Sequence, residues 1–235
     1  MKDLILLGAF GIAVVDWVST AKKNKNIEKF AKPLTMLLLL IWVLTSAAQG
    51  NYLGNHSLIW LVVGIGFCLV GDIFLFLPPE VWFLRGLIAF LLGHVGYIFS
   101  FGVSHVAGGQ VFPGLVLGLS ITIAGIYVVR RLVAGLKQSG KGKMSVPIMV
   151  YAVVISYVLF SAGFKFLDSA WSLSESLLLA VGALLFYISD ILNAWERFVS
   201  KFKNDRLIIM ITYHLGQFGI ALGVINYLAA NFSAA

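Results

Sequence analysis

The sequence predicts an all-α polytopic membrane protein, with residues 1–235 forming a single bundle of eight transmembrane helices. The chain is 60% hydrophobic and only 11% charged, whereas soluble domains have about 25% charged residues. Its mean hydropathy of +0.96 accompanies apolar runs long enough to cross a bilayer, which takes about 20 helical residues. The runs are continuous, while a membrane β-barrel has alternating polarity, so the pattern favours helices.

Eight apolar runs follow one another along the chain, separated by polar or basic residues. They cover residues 3–20, 34–48, 58–77, 83–104, 112–134, 146–166, 174–195 and 206–229. The first run has one lysine before it and a lysine cluster after it, whereas a cleaved signal peptide carries its positive charge first. We therefore expect this run to be retained as the first span.

Individual spans carry local features that support their assignment. Pro33 and Pro147 open the second and sixth spans, each after a basic segment. Cys68 lies in the third span and is the single cysteine, so no disulfide can form within the chain. We interpret it as a small core residue. Glycines four residues apart in the fifth and eighth spans permit close helix approach. These are Gly114 and Gly118, and Gly219 and Gly223.

The basic residues predict the orientation of the bundle. Of 17 lysines and arginines, all but Lys2 and Lys165 lie in, or near, the segments that join spans 1 and 2, 3 and 4, 5 and 6, and 7 and 8. Such an asymmetry is typical of cytoplasmic loops. We therefore expect an integral protein of a bacterial inner membrane with both termini on the non-cytoplasmic side. The same rule explains the net charge of +7, so no nucleic-acid partner is expected.

Three spacings indicate that the chain could contain a parallel duplication of a four-helix unit, a 4+4 pseudo-repeat. They join Asp72 to Asp190 (118 residues), His94-Val95-Gly96-Tyr97 to His214-Leu215-Gly216-Gln217 (120 residues), and Pro33 to Pro147 (114 residues). The alternative is coincidence combined with the regular alternation of basic loops.

Three aspartates fall within the predicted spans, where a carboxylate costs about 2.5–3.5 kcal/mol and commonly has a function. Asp72 and Asp190 lie at similar depths, roughly 8 Å from the basic ends of spans 3 and 7, taking 1.5 Å per residue. They are the candidate catalytic residues. Asp16 is shallower, so we expect it to pair with Lys22 or Lys23.

Other polar side chains cluster at the depth of these two aspartates. Tyr187 shares a helix face with Asp190, Ala194 and Arg197, because three- and four-residue steps place residues on one side of a helix. The further candidates for substrate binding are Lys32, His94, Tyr97, Tyr151, Asn193, Tyr213, His214 and Gln217. Together they predict a polar cavity open to the cytoplasmic leaflet, with an apolar upper part.

Each candidate also has a structural interpretation. The tyrosines are typical of a membrane interface, and the histidines are able to bridge helices by hydrogen bonds. Lys32 is placed either to anchor at the headgroups or to bind a lipid phosphate, and Glu196 with Arg197 is placed to form an interface ion pair. No span has a His-x-x-His or His-Glu-x-x-His pair, so we expect neither a metal nor another cofactor.

The order of these motifs resembles the YhhN family of lysoplasmalogenase-like membrane proteins over nearly the whole chain. The motifs are Lys32-Pro33, Gly71-Asp72, Ser189-Asp190 followed by Arg197-Phe198, and Tyr213 with Gln217 in the last span. No single motif is specific, and the resemblance depends on their order across eight spans. His214 stands where the family often has a second tyrosine, and Asn193 is a position at which we expect variation.

The resemblance implies a hydrolase that cleaves the vinyl ether bond of lysoplasmalogens. The products would be a fatty aldehyde and glycerophosphoethanolamine or glycerophosphocholine, and the partners would be the lysophospholipid substrate and membrane lipid. The family's intramembrane aspartates correspond to Asp72 and Asp190, and its lysine before proline to Lys32. Its tyrosine and glutamine of the last span correspond to Tyr213 and Gln217.

This chemistry suits a pair of carboxyl groups in different surroundings. Protonation of the outer alkene carbon gives an oxocarbenium ion, which needs an anionic group nearby and a water to trap it, as in glycoside hydrolysis. We expect Asp190 to be the acid, because Gly71 would leave room for water beside Asp72. Tyr213 and Gln217 would hold the water or the glycerol hydroxyl, Lys32 would meet the phosphate, and the lipid tail would lie in the apolar upper cavity.

Two other classes of protein fit part of the pattern. A proton-coupled transporter also has intramembrane acids, glycines and repeats, but it needs polar access from both sides. A non-catalytic lipid-binding protein would tolerate the loss of both aspartates.

Overall fold

The computed structural model describes residues 2–102 and 111–232. Within these ranges the chain forms eight α-helices and no β-strand, which confirms the all-α prediction. The helices are α1 Lys2–Ala21, α2 Lys25–Gln49, α3 His56–Leu75, α4 Pro79–Phe101, α5 Val111–Gln138, α6 Ser145–Phe164, α7 Leu173–Phe198 and α8 Asp205–Phe232. All eight are long and apolar enough to cross a membrane. The last residues of the predicted fourth span, 103 and 104, lie outside the described residues.

Helix α2 begins nine residues before the predicted start of the second span. The sequence prediction took Pro33 as an opening residue, because proline lacks the N–H that a helix interior requires. In the structure, Asn24 caps the helix by accepting a hydrogen bond from the backbone N–H of Ile27 at 3.4 Å, and the helix continues through Pro33. Glu28 and Lys32 on this added segment are buried, so tertiary contacts stabilise it.

Glycine allows two pairs of helices to pack closely along the bundle. A Cβ on Gly96 of α4 would lie 2.7 Å from the backbone N of Gly64 in α3, and a Cβ on Gly219 of α8 would lie 2.6 Å from Cα of Gly182 in α7. Any side chain at these positions would separate the helices. The predicted glycine contact of the eighth span is therefore present. Gly114 of the fifth span packs instead against the ring of Phe164.

The helices differ in how far they are enclosed. Buried residues occur along most of α8, whereas only Gly114, Leu132 and Leu136 are buried in α5. Helix α8 is therefore central, and α5 lies at the edge of the bundle against α6 and α7.

The two ends of the bundle have different chemistry. Glu28 near the start of α2 pairs with Arg206 near the start of α8, so these two helix starts meet at one end. We call it the basic end, defined by connecting residues 22–24, 76–78, 139–144 and 199–204. At the opposite end, the buried Lys165 lies 3.3 Å from Asp168 and donates a hydrogen bond to the carbonyl of Gly102 at 3.4 Å.

Candidate active site

A cavity opens between the helices in their basic half. Its polar lining comes mainly from α7 and α8, and its apolar lining includes Leu87 and Phe90 of α4, Leu132 of α5 and Ile155 of α6. The polar and charged lining residues are Lys32, Tyr151, Tyr187, Ser189, Asp190, Asn193, Arg197, Arg206 and Tyr213. Six of them are residues that the sequence singled out for the site: Lys32, Tyr151, Tyr187, Asp190, Asn193 and Tyr213.

Asp190 is the carboxyl group that faces this cavity. Its side chain is 11% exposed, and its Oδ2 accepts a hydrogen bond from the hydroxyl of Tyr151 at 2.8 Å. The Nε2 atom of His94 lies 3.2 Å from the same oxygen. Both contacts therefore use the same oxygen of the carboxyl group.

The other ring nitrogen of His94 determines where protons reside in this cluster. Its Nδ1 lies 2.7 Å from the backbone carbonyl of Phe90, and a carbonyl only accepts, so Nδ1 carries a hydrogen. Nε2 therefore either accepts a proton from Asp190 or, once protonated, pairs with the Asp190 carboxylate. In both arrangements one mobile proton is shared between the two side chains.

Asp72 forms a second polar cluster beside the first. Its Oδ1 lies 2.8 Å from Nζ of Lys32, and its Oδ2 accepts a hydrogen bond from the hydroxyl of Tyr213 at 2.7 Å. The Lys32 ammonium also lies 4.7 Å from the centroid of the Tyr213 ring. Asp72 is fully buried and is not part of the cavity lining. Its two partners, Lys32 and Tyr213, do line the cavity, so Asp72 acts on the cavity only by holding them.

The expected space for water beside Asp72 is absent, and that part of the sequence interpretation is wrong. A Cβ on Gly71 would lie 2.7 Å from two carbons of the Phe90 ring. The glycine therefore makes room for Phe90 of α4. A small residue in a helix is as readily used for close packing as for access to solvent.

Four predicted substrate-binding residues, His94, Tyr97, His214 and Gln217, are not among the residues that line the cavity. The hydroxyl of Tyr97 donates to Oε1 of Gln217, which joins α4 to α8. Nδ1 of His214 accepts a hydrogen bond from Nε1 of Trp17 at 3.1 Å, which joins α8 to α1. Their placement does not favour direct contact with a ligand, and their role in binding stays a prediction.

Asp16 does not pair with Lys22 or Lys23 as the sequence suggested. It is completely buried, whereas both lysines are exposed. Within the described part of the chain neither carboxyl oxygen has a hydrogen-bond partner, and Nδ1 of His214 lies 4.0 Å from Oδ2. The side chain of Asp16 therefore belongs to the α1–α8 interface rather than to the membrane surface.

From the sequence, Arg206 was considered only as one of the basic residues that predict the orientation in the membrane. In the structure it lines the cavity. It pairs with the buried Glu28 of α2, a contact that no local pattern in the sequence predicts. The guanidinium of Arg197, whose shared face with Asp190 was noted, lies 4.2 Å from the ring centroid of Phe83. The expected pair of Arg197 with Glu196 is replaced by Glu196 with Lys201, at 3.8 Å.

The cavity therefore has both cationic and acidic lining residues. Lys32, Arg197 and Arg206 line it together with the single carboxyl of Asp190. Guanidinium and ammonium groups are the usual partners of phosphate. Helices and cavity together define an integral membrane protein with a polar site enclosed within its transmembrane helices.

The family profile described as "YhhN family" matches residues 27–224, and the chain belongs to this family. Among the curated relatives, lysoplasmalogenase TMEM86A of Homo sapiens is 28% identical over 213 residues, covering 89% of this chain and 79% of the relative. Lysoplasmalogenase TMEM86B of Mus musculus is 28% identical over 210 residues, covering 89% and 76%. A lysoplasmalogenase of Mycobacterium bovis is 29% identical over 175 residues, covering 72% and 60%. No solved structure matches the chain.

Proposed function

We propose that the protein is an intramembrane lysoplasmalogenase, which hydrolyses the vinyl ether bond of a lysophospholipid to a fatty aldehyde and glycerophosphoethanolamine or glycerophosphocholine. Relatives that carry the name lysoplasmalogenase align over most of the chain. The observation that carries the proposal is the Asp190 cluster. It combines a cavity-facing carboxyl with a histidine at 3.2 Å and a tyrosine at 2.8 Å, both of which contact its Oδ2.

Asp190 is the proton donor in this reaction. Its carboxyl transfers a proton to the outer carbon of the C=C bond, and the electron pair of that bond forms the new C–H bond. The cation that results is an oxocarbenium ion, shared between the inner carbon and the ether oxygen. His94 and Tyr151 hold the carboxyl in position and stabilise the carboxylate that the transfer leaves.

Water then completes the reaction and restores the acid. A water molecule adds to the inner carbon while the Asp190 carboxylate accepts its proton, which gives a hemiacetal. The hemiacetal collapses to the aldehyde as its hydroxyl proton passes to the departing glycerol oxygen. Since the proton returns to Asp190, the cycle consumes only water, and the Asp190–His94 pair holds the proton between turnovers.

Asp72 is the second carboxylate of the proposed pair, and it acts through its partners. Its negative charge holds Lys32 at 2.8 Å and orients the Tyr213 hydroxyl at 2.7 Å, and both partners line the cavity. It also supplies negative charge near the forming cation. Lys32, with Arg206, binds the phosphate, and Tyr213 orients the water or the glycerol hydroxyl.

The distribution of polar groups favours this hydrolase over a transporter. The cavity lining comes mainly from the basic halves of helices α2 to α8. Beyond it the core is formed by apolar residues such as Leu39, Val43 and Ile65, each with no exposed surface. Access from the basic end alone suits a lipid substrate drawn from one leaflet, which we propose is the cytoplasmic leaflet of a bacterial inner membrane.

The decisive experiment incubates purified protein in detergent with a lysoplasmalogen and, separately, with an ester lysophospholipid. Free aldehyde and released headgroup are followed by mass spectrometry. We expect aldehyde from the vinyl ether alone. Asp190→Asn should lower its release by about 100-fold or more, and Asp72→Asn should also lower it strongly.

The control is Asp16→Asn, a third buried intramembrane aspartate, which neither lines the cavity nor hydrogen-bonds to either cluster among the described residues, and it should retain activity. No product from either lipid in the unmodified protein would overturn the hydrolase proposal. Full activity in Asp190→Asn would overturn the assignment of the acid.

A further inference from the structure

A second opening adjoins the cavity and faces the outside of the bundle. It is a groove between α5 and α6, whose lining includes Gly118, Thr122 and Ile126 of α5 and Val153 and Tyr157 of α6. We call it the α5–α6 groove. Three residues, Gly125, Val129 and Ala152, line both the groove and the cavity. The two spaces are therefore neighbours that share a wall of small side chains.

The groove is open toward the hydrocarbon of the bilayer. Val153 is 69% exposed, Tyr157 52% and Ile126 48%, and these residues lie in the membrane-spanning parts of their helices. The exposed surface at this position faces lipid, so an aliphatic chain in the groove passes from lipid to protein without meeting water.

The groove runs in the direction of a lipid chain. Its junction with the cavity is at Gly125, and it continues to Gly118, seven residues farther from the basic end. At 1.5 Å per residue this is roughly 10 Å. A lipid of the leaflet at the basic end has its headgroup near that end and its chain pointing toward the bilayer centre. The polar cavity therefore corresponds to the headgroup of such a lipid, and the apolar groove corresponds to its chain.

A contact between two hydroxyl groups separates the groove from the cavity. The hydroxyl of Ser156, which lines the groove, lies 3.4 Å from the hydroxyl of Tyr187, which lines the cavity. A Cβ on Gly125 would lie 3.4 Å from the Ser156 hydroxyl and 3.7 Å from the Tyr187 hydroxyl. Because Gly125 has no side chain, the junction between cavity and groove stays open. A larger side chain at this position would fill it.

We propose that the α5–α6 groove binds the single aliphatic chain of the substrate, while the glycerophosphate headgroup and the scissile bond lie in the cavity beside Asp190, and the chain enters the groove at the Gly125 junction. The identity of this ligand rests on the proposed function. The expectation that the chain lies in an apolar upper part of the same cavity is replaced by a lateral site, since fully buried side chains such as Tyr97 and Leu39 fill the core there.

A second apolar groove provides an internal comparison. It lies between α1, α7 and α8, and its lining includes Leu7, Val181 and Phe218. It shares no lining residue with the cavity among the described residues. A chain bound there would have no route to Asp190, so we assign the substrate chain to the α5–α6 groove alone.

Photolabelling tests this assignment without requiring turnover. The probe is a saturated alkyl ether lysophosphoethanolamine with a diazirine near the end of its chain, which has no alkene to protonate. Protein in lipid nanodiscs is irradiated with the probe, and labelled peptides are identified by mass spectrometry. We expect labels in residues 118–129 and 149–160, suppressed by excess unlabelled lysophospholipid. Labels concentrated in α1, α7 and α8, or spread evenly over lipid-facing helices, would overturn the proposal.

Substitution at the junction gives a matched functional test. Gly125→Leu should lower hydrolysis of a lysoplasmalogen with a long chain by at least tenfold, yet spare a water-soluble analogue with a four-carbon alkenyl chain. Gly11→Leu is the control, because Gly11 is exposed on α1 with no atom within 4 Å of an added Cβ. Equal loss on both substrates, or no loss on either, would contradict the assignment. If the unmodified protein releases no aldehyde, the proposed function fails while the photolabelling still tests the groove.

Discussion

At the scale of single residues, the cavity depends on where one proton resides. His94 is fixed by its bond to the Phe90 carbonyl at 2.7 Å and by stacking on Phe186, with ring centroids 4.6 Å apart. Its remaining nitrogen meets Asp190, which alone of the two proposed catalytic aspartates faces the cavity. The histidine is therefore a positioning residue that exchanges a proton with the acid.

Replacing His94 by Gln removes this exchange while leaving a polar group beside Asp190. We expect kcat for aldehyde release to fall by about 100-fold with KM nearly unchanged, because His94 does not line the cavity. Steady-state kinetics on a lysoplasmalogen measures both constants. His56→Gln, at the start of α3 far from the site, is the control, and an increase in KM alone would contradict the role.

The Lys32–Asp72 pair predicts a characteristic pattern of stability. Removing one partner of a buried ion pair leaves the other charge uncompensated, at a cost of about 3–5 kcal/mol. Lys32→Met should therefore lower the melting temperature in detergent more than the double change of Lys32→Met with Asp72→Leu.

Activity separates the structural part of this pair from its catalytic part. The double variant should fold and still fail to release aldehyde, because the phosphate contact and the orientation of Tyr213 are both lost. Melting curves and aldehyde assays on the same preparations measure the two effects. A double variant with activity restored would show that the pair serves stability only.

At the scale of helices, two pairs of helices approach each other closely at glycine residues. Helices α3 and α4 meet at Gly64 and Gly96, and helices α7 and α8 meet at Gly182 and Gly219. The predicted duplication relates α3–α4 to α7–α8, and both pairs approach through backbone contacts. This similarity supports the duplication, which stays a prediction.

A contact at the centre of the bundle agrees with the same idea. Tyr97 and Gln217, which are 120 residues apart, bond directly to one another, and the repeat pairs these two positions. Equivalent residues of two repeats meet each other only near the axis that relates them.

Adding one methyl group at the α7–α8 contact should destabilise the protein. In Gly182→Ala the new Cβ would lie 2.5 Å from the backbone N of Ile220, and backbone cannot move aside as a side chain does. We expect a lower melting temperature and less folded protein after extraction. Gly11→Ala, which meets open space, should melt as the unmodified protein does, and equal melting of both variants would refute the packing argument.

At the scale of the whole molecule, the basic end decides from which side the site is reached. The cavity opens at that end, and the distribution of lysine and arginine predicts that it faces the cytoplasm. The native Cys68 has no exposed surface, so introduced cysteines report orientation without interference from it.

Labelling of intact cells with a membrane-impermeant maleimide tests the orientation. Leu53→Cys, exposed at the end opposite the cavity, should react in intact cells, whereas Lys143→Cys, exposed at the basic end, should react only after lysis. The unmodified protein should remain unlabelled in both conditions. The reverse pattern would place the cavity on the outer side and require a substrate from the other leaflet.

The number and type of the helices, and the approximate limits of all but α2, were determined by sequence alone, because the length and polarity of each apolar run are local properties that the bilayer selects. The presence of Asp72, Asp190 and their polar neighbours at one depth was predictable for the same reason. Tertiary structure decided which side chains meet, since this depends on how each helix is rotated and tilted against its neighbours. It turned Asp190 to the cavity, enclosed Asp72 behind Lys32 and Tyr213, and filled the space at Gly71 with Phe90. No spacing along one helix encodes those rotations, which result from packing between helices distant in the chain.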